Sequence, residues 1–124
     1  MVRIYRAKDS VKAGRAGYEA SYVADLTFGK SLDSCGVILV DIQENVKTSP
    51  HAHEHLEEVF IAMTKIRIFI NETQYDLNDG DVVIVETNEA HSFETETNET
   101  GRILALKFPN LKDDKVVPVS GSEN

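Results

Sequence analysis

Three of the four histidines in the sequence lie close together, at His51, His53 and His55. Residues two apart on a β-strand point to the same face, so His51 and His53 could aim their imidazoles at one point. Two glutamates, Glu57 and Glu58, follow directly. Imidazole nitrogens and carboxylate oxygens that converge on one point form the kind of shell that holds a divalent transition metal. This stretch therefore predicts a metal site, provided that the chain folds as a β-sheet.

The fourth histidine, His91, lies far along the chain, after a turn and a strand-like run. A folded sheet could return its side chain to the same place. The alternative is that the three clustered histidines form a polar loop and that His91 is an unrelated residue beside a strand.

Glu58 follows His53 by an odd number of residues, so an unbroken strand would put these two side chains on opposite faces of the sheet. A turn or bulge is therefore predicted between Glu54 and Glu57. Glu57 itself could be a ligand only in a different register. Beyond the turn, alternate residues of the next strand are predicted to face inward: Glu58, Phe60 and Ala62.

The apolar pattern is strand-like along nearly the whole chain, and no stretch has a convincing helical period. Residues 8–17 are charged and contain two glycines, which predicts a loop with at most one helical turn. The strand at 35–42 is apolar on both faces and is predicted to be buried, with Cys35 as a small buried hydrophobe. The predicted strands are 2–5, 18–28, 35–42, 59–63, 66–70, 73–77, 82–85, 91–97 and 103–106.

Turn signals separate these strands, most strongly at 71–72 and 78–81, where Asn, Asp and Gly tolerate a positive φ. Many short strands divided by turns predict an all-β barrel or sandwich. The chain is expected to be a single domain over residues 1–110, followed by a polar C-terminal tail over 111–124.

The charge balance is acidic, with 13 Lys and Arg against 21 Asp and Glu and a net charge of -8. A duplex-binding domain would carry a basic patch, so no nucleic-acid partner is expected. Cys35 is the only cysteine, so no internal disulfide can form, which fits a reducing compartment. The first residues lack the apolar segment of a signal peptide, and no apolar run is long enough for a membrane helix. A cytoplasmic protein without a membrane partner is expected.

The histidine stretch resembles the first motif of the cupin superfamily, His-x-His followed after three or four residues by Glu, at His51, His53 and Glu58. The second motif of that family begins with Gly and ends with His eleven residues later, and the run from Gly80 to His91 is similar. The resemblance covers about residues 36–106. It implies a double-stranded β-helix, or jelly roll, whose interior holds one metal ion. The ligands that it implies are His51, His53, Glu58 and His91.

Four positions depart from the family pattern without touching the implied ligands. Lys65 stands where the first motif has a glycine, and Glu86, Asn88 and Thr95 stand where the second motif has proline, glycine and asparagine. Asn88 is a mild change, because asparagine enters the left-handed region more readily than most residues. Lys65 implies a differently shaped turn between two strands.

Three imidazoles and one carboxylate leave one or two positions open on a six-coordinate ion, as a catalytic site does. The donor set suits Fe, Mn, Co or Ni, and Zn or Cu at lower coordination number. Two functions follow from the resemblance. One is a metal-dependent enzyme of the dioxygenase, decarboxylase or isomerase type acting on a small molecule in the barrel. The other is a non-catalytic small-molecule or sugar-binding sensor that keeps the metal for structure or ligand contact.

Three further residues are placed near the predicted metal. His55 is interpreted as a solvated or second-shell histidine at the barrel mouth, while Phe60 and Phe93 are predicted to line the interior because each lies two residues beyond a predicted ligand. No residue can be assigned as catalytic from the sequence. The resemblance also implies a homodimer, for which the first strand is a plausible pairing edge.

Overall fold

The computed structural model describes residues 2–16, 18–29 and 32–117, and the chain folds as an all-β double-stranded β-helix. In these ranges one 3₁₀ turn, at Ala7–Asp9, accompanies the strands. The strands are β1 (Arg3–Tyr5), β2 (Val11–Arg15), β3 (Tyr18–Tyr22), β4 (Gly36–Ile42), β5 (Ala52–His53), β6 (Glu57–Ala62), β7 (Ile66–Ile70), β8 (Thr73–Leu77), β9 (Val82–Val85), β10 (His91–Glu94), β11 (Gly101–Phe108) and β12 (Lys115–Val116).

A five-stranded sheet and a three-stranded sheet form the body of the fold. The larger sheet has the order β1-β9-β6-β11-β4 and the smaller has the order β10-β7-β8. Two short pairs, β12 with β5 and β2 with β3, complete the strand pairing among the described residues. The pairings within all these sheets are antiparallel.

The main core lies between the inner faces of the two large sheets. Phe60 and Ala62 of β6 and Ile103 of β11 meet Ile68 of β7 and Phe93 of β10 there. Ile68 and Ile103 are fully shielded from solvent. Burying an aliphatic side chain of this size contributes about 1.5–3 kcal/mol, so this sandwich supplies the stability that holds the predicted ligands in place.

A second apolar layer covers the outer face of the large sheet. Val59, Val82 and Ile84 point outward and pack against the segment that contains Leu26 and Phe28. Strand β9 is therefore covered on both faces, which explains its continuous run of buried valines and isoleucine. The predicted alternation of β6, with Phe60 and Ala62 inward, is confirmed.

Three predictions about the N-terminal third were wrong. The strand predicted over residues 18–28 is shorter, because β3 ends at Tyr22. Residues 11–15 form strand β2, paired with β3, instead of a loop. Strand β4 forms as predicted but is largely exposed: Val37, Ile38 and Leu39 are 68%, 39% and 51% exposed, and Cys35 is exposed too. An apolar run indicates burial only if other elements cover both faces, and β4 lies at the edge of its sheet.

The turn predictions were correct. Asn71 and Glu72 have φ angles of 49° and 72°, as a tight turn between paired strands requires, and Gly80 has φ of 89°. Asn88 has φ of 67°, so it adopts the left-handed conformation in place of glycine. Thr95, at another departure from the family pattern, donates from its hydroxyl to the carbonyl of Gln43 at 2.6 Å.

The polar C-terminal segment contains a strand that composition did not indicate. Lys115 and Val116 of β12 pair with His53 and Ala52 of β5. The segment before residue 118 therefore packs against the predicted metal-binding stretch. Residues 118–124 of the predicted tail lie outside the described residues.

Candidate metal centre

His51 and His91 are brought together by a direct backbone pairing. The amide of His51 donates to the carbonyl of His91 at 3.1 Å, and the amide of His91 donates back to the carbonyl of His51 at 2.9 Å. Residues directly opposite in an antiparallel pair project to the same face. The two imidazole centroids are accordingly 4.5 Å apart.

His53 and Glu58 flank a break in the chain between β5 and β6, as the odd step in sequence requires. His53 Nε2 lies 3.0 Å from Glu58 Oε1, and His91 Nε2 lies 3.5 Å from the same oxygen. The His53, Glu58 and His91 side chains are almost completely buried, whereas His51 is half-buried. His53, Glu58 and His91 belong to three different sheets, and His51 lies directly before β5 in an isolated bridge to His91.

The spacing of the donor atoms fits a single small cation. One ring nitrogen from each of His51, His53 and His91 lies within 4.8 Å of the other two. Two ligands about 2.1 Å from one metal, at a right angle, lie about 3 Å apart, close to the separations from Glu58 Oε1. His91 Nε2 is also buried and has no hydrogen-bond partner in the part of the chain that the structure describes. Such burial is costly unless another group, such as a metal, accepts its lone pair. The residues present therefore fit a divalent transition metal.

The electrostatics favour the protonation states that bind a metal. Burial alone raises the pKa of the Glu58 carboxyl, but the imidazoles of His53 and His91 outweigh it and lower that pKa to about 2. For His51, by contrast, burial lowers the pKa and is the largest cause. Electrostatic interactions with His91 and Lys115 lower it further, to about 4. At neutral pH the carboxylate is thus charged, and the His51 imidazole keeps a free lone pair.

Aromatic rings form the inner wall beside this cluster. The Phe60 ring lies 5.3 Å from the imidazole of His91, and Phe93 packs edge-on against Phe60 at 5.0 Å. Both phenylalanines belong to the main core. The two rings therefore lie on the core side of the histidine cluster.

Glu57 and His55 point away from the cluster. Glu57 accepts a hydrogen bond from the amide of Gly29 at 2.9 Å, so its carboxylate faces the N-terminal segment. The His55 side chain is 72% exposed, and its Nδ1 lies 2.9 Å from Asp114 Oδ1. Of the two adjacent glutamates, only Glu58 has its carboxylate among the imidazoles.

Asp114 is the residue near the centre that the sequence did not indicate. Its main-chain carbonyl lies 3.1 Å from His53 Nδ1. Its side chain accepts from the amides of Glu54, His55 and Leu56 at 3.3, 2.7 and 3.0 Å. The available signal was the pair of β-branched residues that follows it, Val116 and Val117, within an otherwise polar segment.

Glu54, His55 and Asp114 form a second group of potential ligands. Both carboxylate oxygens of Asp114 already accept hydrogen bonds from the backbone of residues 54–56. These contacts also lower the pKa of Asp114, against the effect of burial. The group is therefore explained as a cap on a turn and not as a second metal site.

None of the helical structure in the described ranges is long and apolar enough to cross a membrane. The family model described as the cupin domain matches residues 38–107 of the chain. No curated protein matches the sequence significantly.

Several solved structures are similar in fold. The salicylate 1,2-dioxygenase from Pseudaminobacter salicylatoxidans aligns with a TM-score of 0.56 and 15% identity, over 64% of this chain and 22% of that chain. A cupin 2 conserved barrel domain protein from Salinispora arenicola aligns with a TM-score of 0.56 and 19% identity, over 67% of this chain and 70% of that chain. The polyketide cyclase RemF from Streptomyces resistomycificus has a TM-score of 0.55 and 19% identity, over 66% of this chain and 65% of that chain.

The similarity establishes the fold alone. Identity to each of these proteins is below 20%, and the chain spans only 22% of the length of the dioxygenase.

Proposed function

Because this chain belongs to the cupin domain family, we propose that it binds one divalent transition-metal ion in the barrel and uses the site to engage a small molecule. The observation that carries this proposal is the buried Nε2 of His91, which has no hydrogen-bond partner among the described residues and lies 3.5 Å from a Glu58 carboxylate oxygen. A buried imidazole nitrogen in that position is costly without a further partner, and a metal ion would satisfy it.

In this proposal His51, His53, Glu58 and His91 are the ligands. Three of them donate ring nitrogens, and the Glu58 carboxylate supplies negative charge that offsets the charge of the cation. When bound, a metal of the group Fe, Mn, Co, Ni, Zn or Cu would supply Lewis-acid or redox chemistry. Phe60 and Phe93 exclude water from the inner side of the ligands, so the small molecule approaches from the half-buried side, at His51.

The proposed reaction type is that of a metal-dependent dioxygenase, decarboxylase or isomerase. A cupin-fold relative in the comparison is a dioxygenase whose structure is known in complex with gentisate, and another is a polyketide cyclase. The second candidate is a non-catalytic small-molecule or sugar-binding sensor, in which the metal serves structure or ligand contact. The half-exposed His51 beside an otherwise buried cluster is compatible with either, because both need one accessible side.

Metal content tests the first step of the proposal. The protein is expressed in metal-supplemented medium, purified without chelators and analysed for elements, and close to one first-row metal per chain is expected. The matched control is the His91→Ala variant, which should lose most of that metal. A wild-type protein that holds no metal after purification, and does not take up Co(II), Zn or Fe(II) in titration, would contradict the proposal.

Turnover separates the two candidate functions. The metal-loaded protein is assayed with a set of small carboxylates and phenols, gentisate included, for O2 consumption and for product formation by mass spectrometry. Turnover that is lost in the His91→Ala variant supports an enzyme. A ligand that raises the unfolding temperature of the loaded protein without turnover supports the sensor.

We also propose that residues 1–110 act as one domain and that two copies pair as a homodimer. Strand β4 supports the pairing, since it is an edge strand whose Val37, Ile38 and Leu39 are exposed. Exposed apolar residues on a long edge strand are otherwise a liability for aggregation. Strand β1, the edge expected from the sequence, lies at the opposite end of the same sheet.

A further inference from the structure

The C-terminal segment reaches the metal centre through Asp114. This residue belongs to no predicted ligand set, and it lies directly before β12, the short strand that pairs with β5. Lys115 is opposite His53 in that pairing. Asp114 is therefore held beside the stretch that carries His53 and the turn that leads to Glu58.

The main chain of Asp114 contacts one predicted ligand directly. Its carbonyl oxygen, which can only accept, lies 3.1 Å from His53 Nδ1 in a buried environment. A proton on Nδ1 then makes the hydrogen bond, which leaves Nε2, the nitrogen that faces Glu58, as the donor to a metal. The carbonyl thereby selects both the tautomer and the orientation of the His53 ring.

The side chain of Asp114 controls the other ligand through the turn between β5 and β6. Its carboxylate accepts from three successive amides, those of Glu54, His55 and Leu56. Hydrogen bonds from backbone amides to an ionised carboxylate are among the stronger ones. This turn interrupts the alternation of side chains along the strand and so brings Glu58 to the same side as His53. Its shape therefore sets the distance of 3.0 Å between His53 Nε2 and Glu58 Oε1.

We propose that Asp114 is a positioning residue for the metal centre, and that the segment 114–117 is a strap that sets the geometry of His53 and Glu58. The proposal rests on the proposed metal-binding function. A merely structural role predicts something different: loss of Asp114 would lower the stability of the metal-free chain but would leave the affinity and geometry of the metal site unchanged.

Point variants give the first arm of the test. Asp114→Ala removes every acceptor of the cap, and Asp114→Asn keeps its shape while replacing one acceptor oxygen with an amide. Asp113→Ala is the matched control, because Asp113 is an exposed acidic neighbour. Asp114→Ala keeps the main-chain carbonyl but frees the turn that orients His53 and Glu58, and loss of the groups that orient a metal ligand typically weakens metal binding by about 10- to 100-fold. We expect that range for Asp114→Ala, a smaller loss for Asp114→Asn, and no change for Asp113→Ala.

Two truncations give the second arm. A chain that ends at Val117 keeps the strap and β12, whereas a chain that ends at Lys112 lacks both. We expect full metal affinity for the first and a loss at least as large as that of Asp114→Ala for the second.

The readouts are Co(II) affinity, the visible spectrum of the Co(II)-loaded protein and urea unfolding of the metal-free protein. The Co(II) spectrum reports coordination geometry, so a changed spectrum in Asp114→Asn, whose fold is least disturbed, would show an effect on the centre itself. In the zinc-loaded protein, the Nδ1 proton of His53 should be slow to exchange in the full chain and in the Val117 truncation, and fast in the Lys112 truncation.

The outcomes separate this proposal from the one on which it rests. An unaltered full-length chain that binds no Co(II) or zinc overturns both. Full-length binding, with the same affinity and the same spectrum in all variants, overturns the role of Asp114 alone. Variants that lose only stability in urea show that the strap is structural, and this result also overturns the inference.

Discussion

His51 and His91 exchange two backbone hydrogen bonds and hold their imidazoles edge-on, with centroids 4.5 Å apart, although they are remote in sequence. This contact joins the stretch before β5 to the start of β10. It is the point at which two separately spaced motifs become one site. These two backbone hydrogen bonds fix the position of the His91 main chain relative to that of His51.

Replacing Glu58 should weaken metal binding more than replacing its neighbour. Glu58→Gln removes the only carboxylate among the three imidazoles, and we expect a loss of affinity of about 10-fold or more, since the ligand charge disappears. Glu57→Gln is the control, because the Glu57 side chain faces Gly29. Competition titration with a chromogenic chelator measures the metal affinity of both variants. An equal loss of affinity in the two would refute the assignment of Glu58 as the carboxylate ligand.

His51 should titrate at unusually low pH in the metal-free protein. Its pKa is lowered from 6.5 to about 4, by burial first and then by its electrostatic interactions with His91 and with the Lys115 ammonium. Carbon-bound imidazole protons followed by NMR should give a midpoint well below 6. Lys115→Gln should move that midpoint upward, because the positive charge of Lys115 is removed. A midpoint at 6.5 would mean that the imidazole is open to water.

The metal-free chain should lose stability steadily as it is acidified. His51 has a folded-state pKa of about 4 against 6.5, so its contribution is complete above pH 6.5 and is lost as the pH falls through 4. Glu58 has a folded-state pKa of about 2 against 4.5, so its contribution is complete above pH 4.5 and is lost as the pH falls through 2. Acidification therefore lowers the free energy of unfolding through both groups.

Each proton contributes at most about 1.4 kcal/mol per pH unit, and solvent screening makes the share of the half-exposed His51 smaller. Urea unfolding at a series of pH values measures the slope. The Glu58→Gln variant should show a smaller slope below pH 4.5 and keep the part above it, while Asp114, whose pKa is also lowered, still contributes in the acidic range. Unchanged stability between pH 7 and 4 would contradict the low pKa of His51.

Phe60→Ala should destabilise the fold and disturb the inner wall of the site. Phe60 is 3% exposed and packs against Phe93 and His91. Truncation of a buried phenylalanine typically costs about 3–5 kcal/mol. Met63→Ala is the control, because Met63 lies just beyond the same strand and is 42% exposed. Chemical denaturation should show less than about 1 kcal/mol for that control.

Charged substitutions in β4 should abolish the proposed homodimer. Val37→Glu and Leu39→Glu place carboxylates on exposed apolar positions of the edge strand, where they would repel a second copy and cost the monomer little. Light scattering after gel filtration should show a dimer for the unaltered chain and a monomer for the double variant. Asp41→Ala, at an exposed position of the same strand, is the control. A monomeric unaltered chain would refute the pairing.

The periodicity of the sequence was sufficient to predict the main strands of the fold. Strands β7, β8 and β9 have the predicted bounds, because alternation and turn residues are local signals. Burial was harder to predict. The apolar run of β4 and the buried run of β9 look alike in sequence, and they differ only in what covers them: β9 lies inside the large sheet with residues 23–28 packed over it, and β4 lies at its edge.

The amino-acid sequence by itself determined the strand-rich class, the cupin resemblance and the four side chains proposed as donors, because each of these depends on residue type and short spacing. The tertiary structure alone decided that Glu57 turns to Gly29, that His55 turns to Asp114, and that the C-terminal segment reaches His53. These are contacts between residues far apart in sequence. No local periodicity encodes them, since they arise only when separate strands are packed into one barrel.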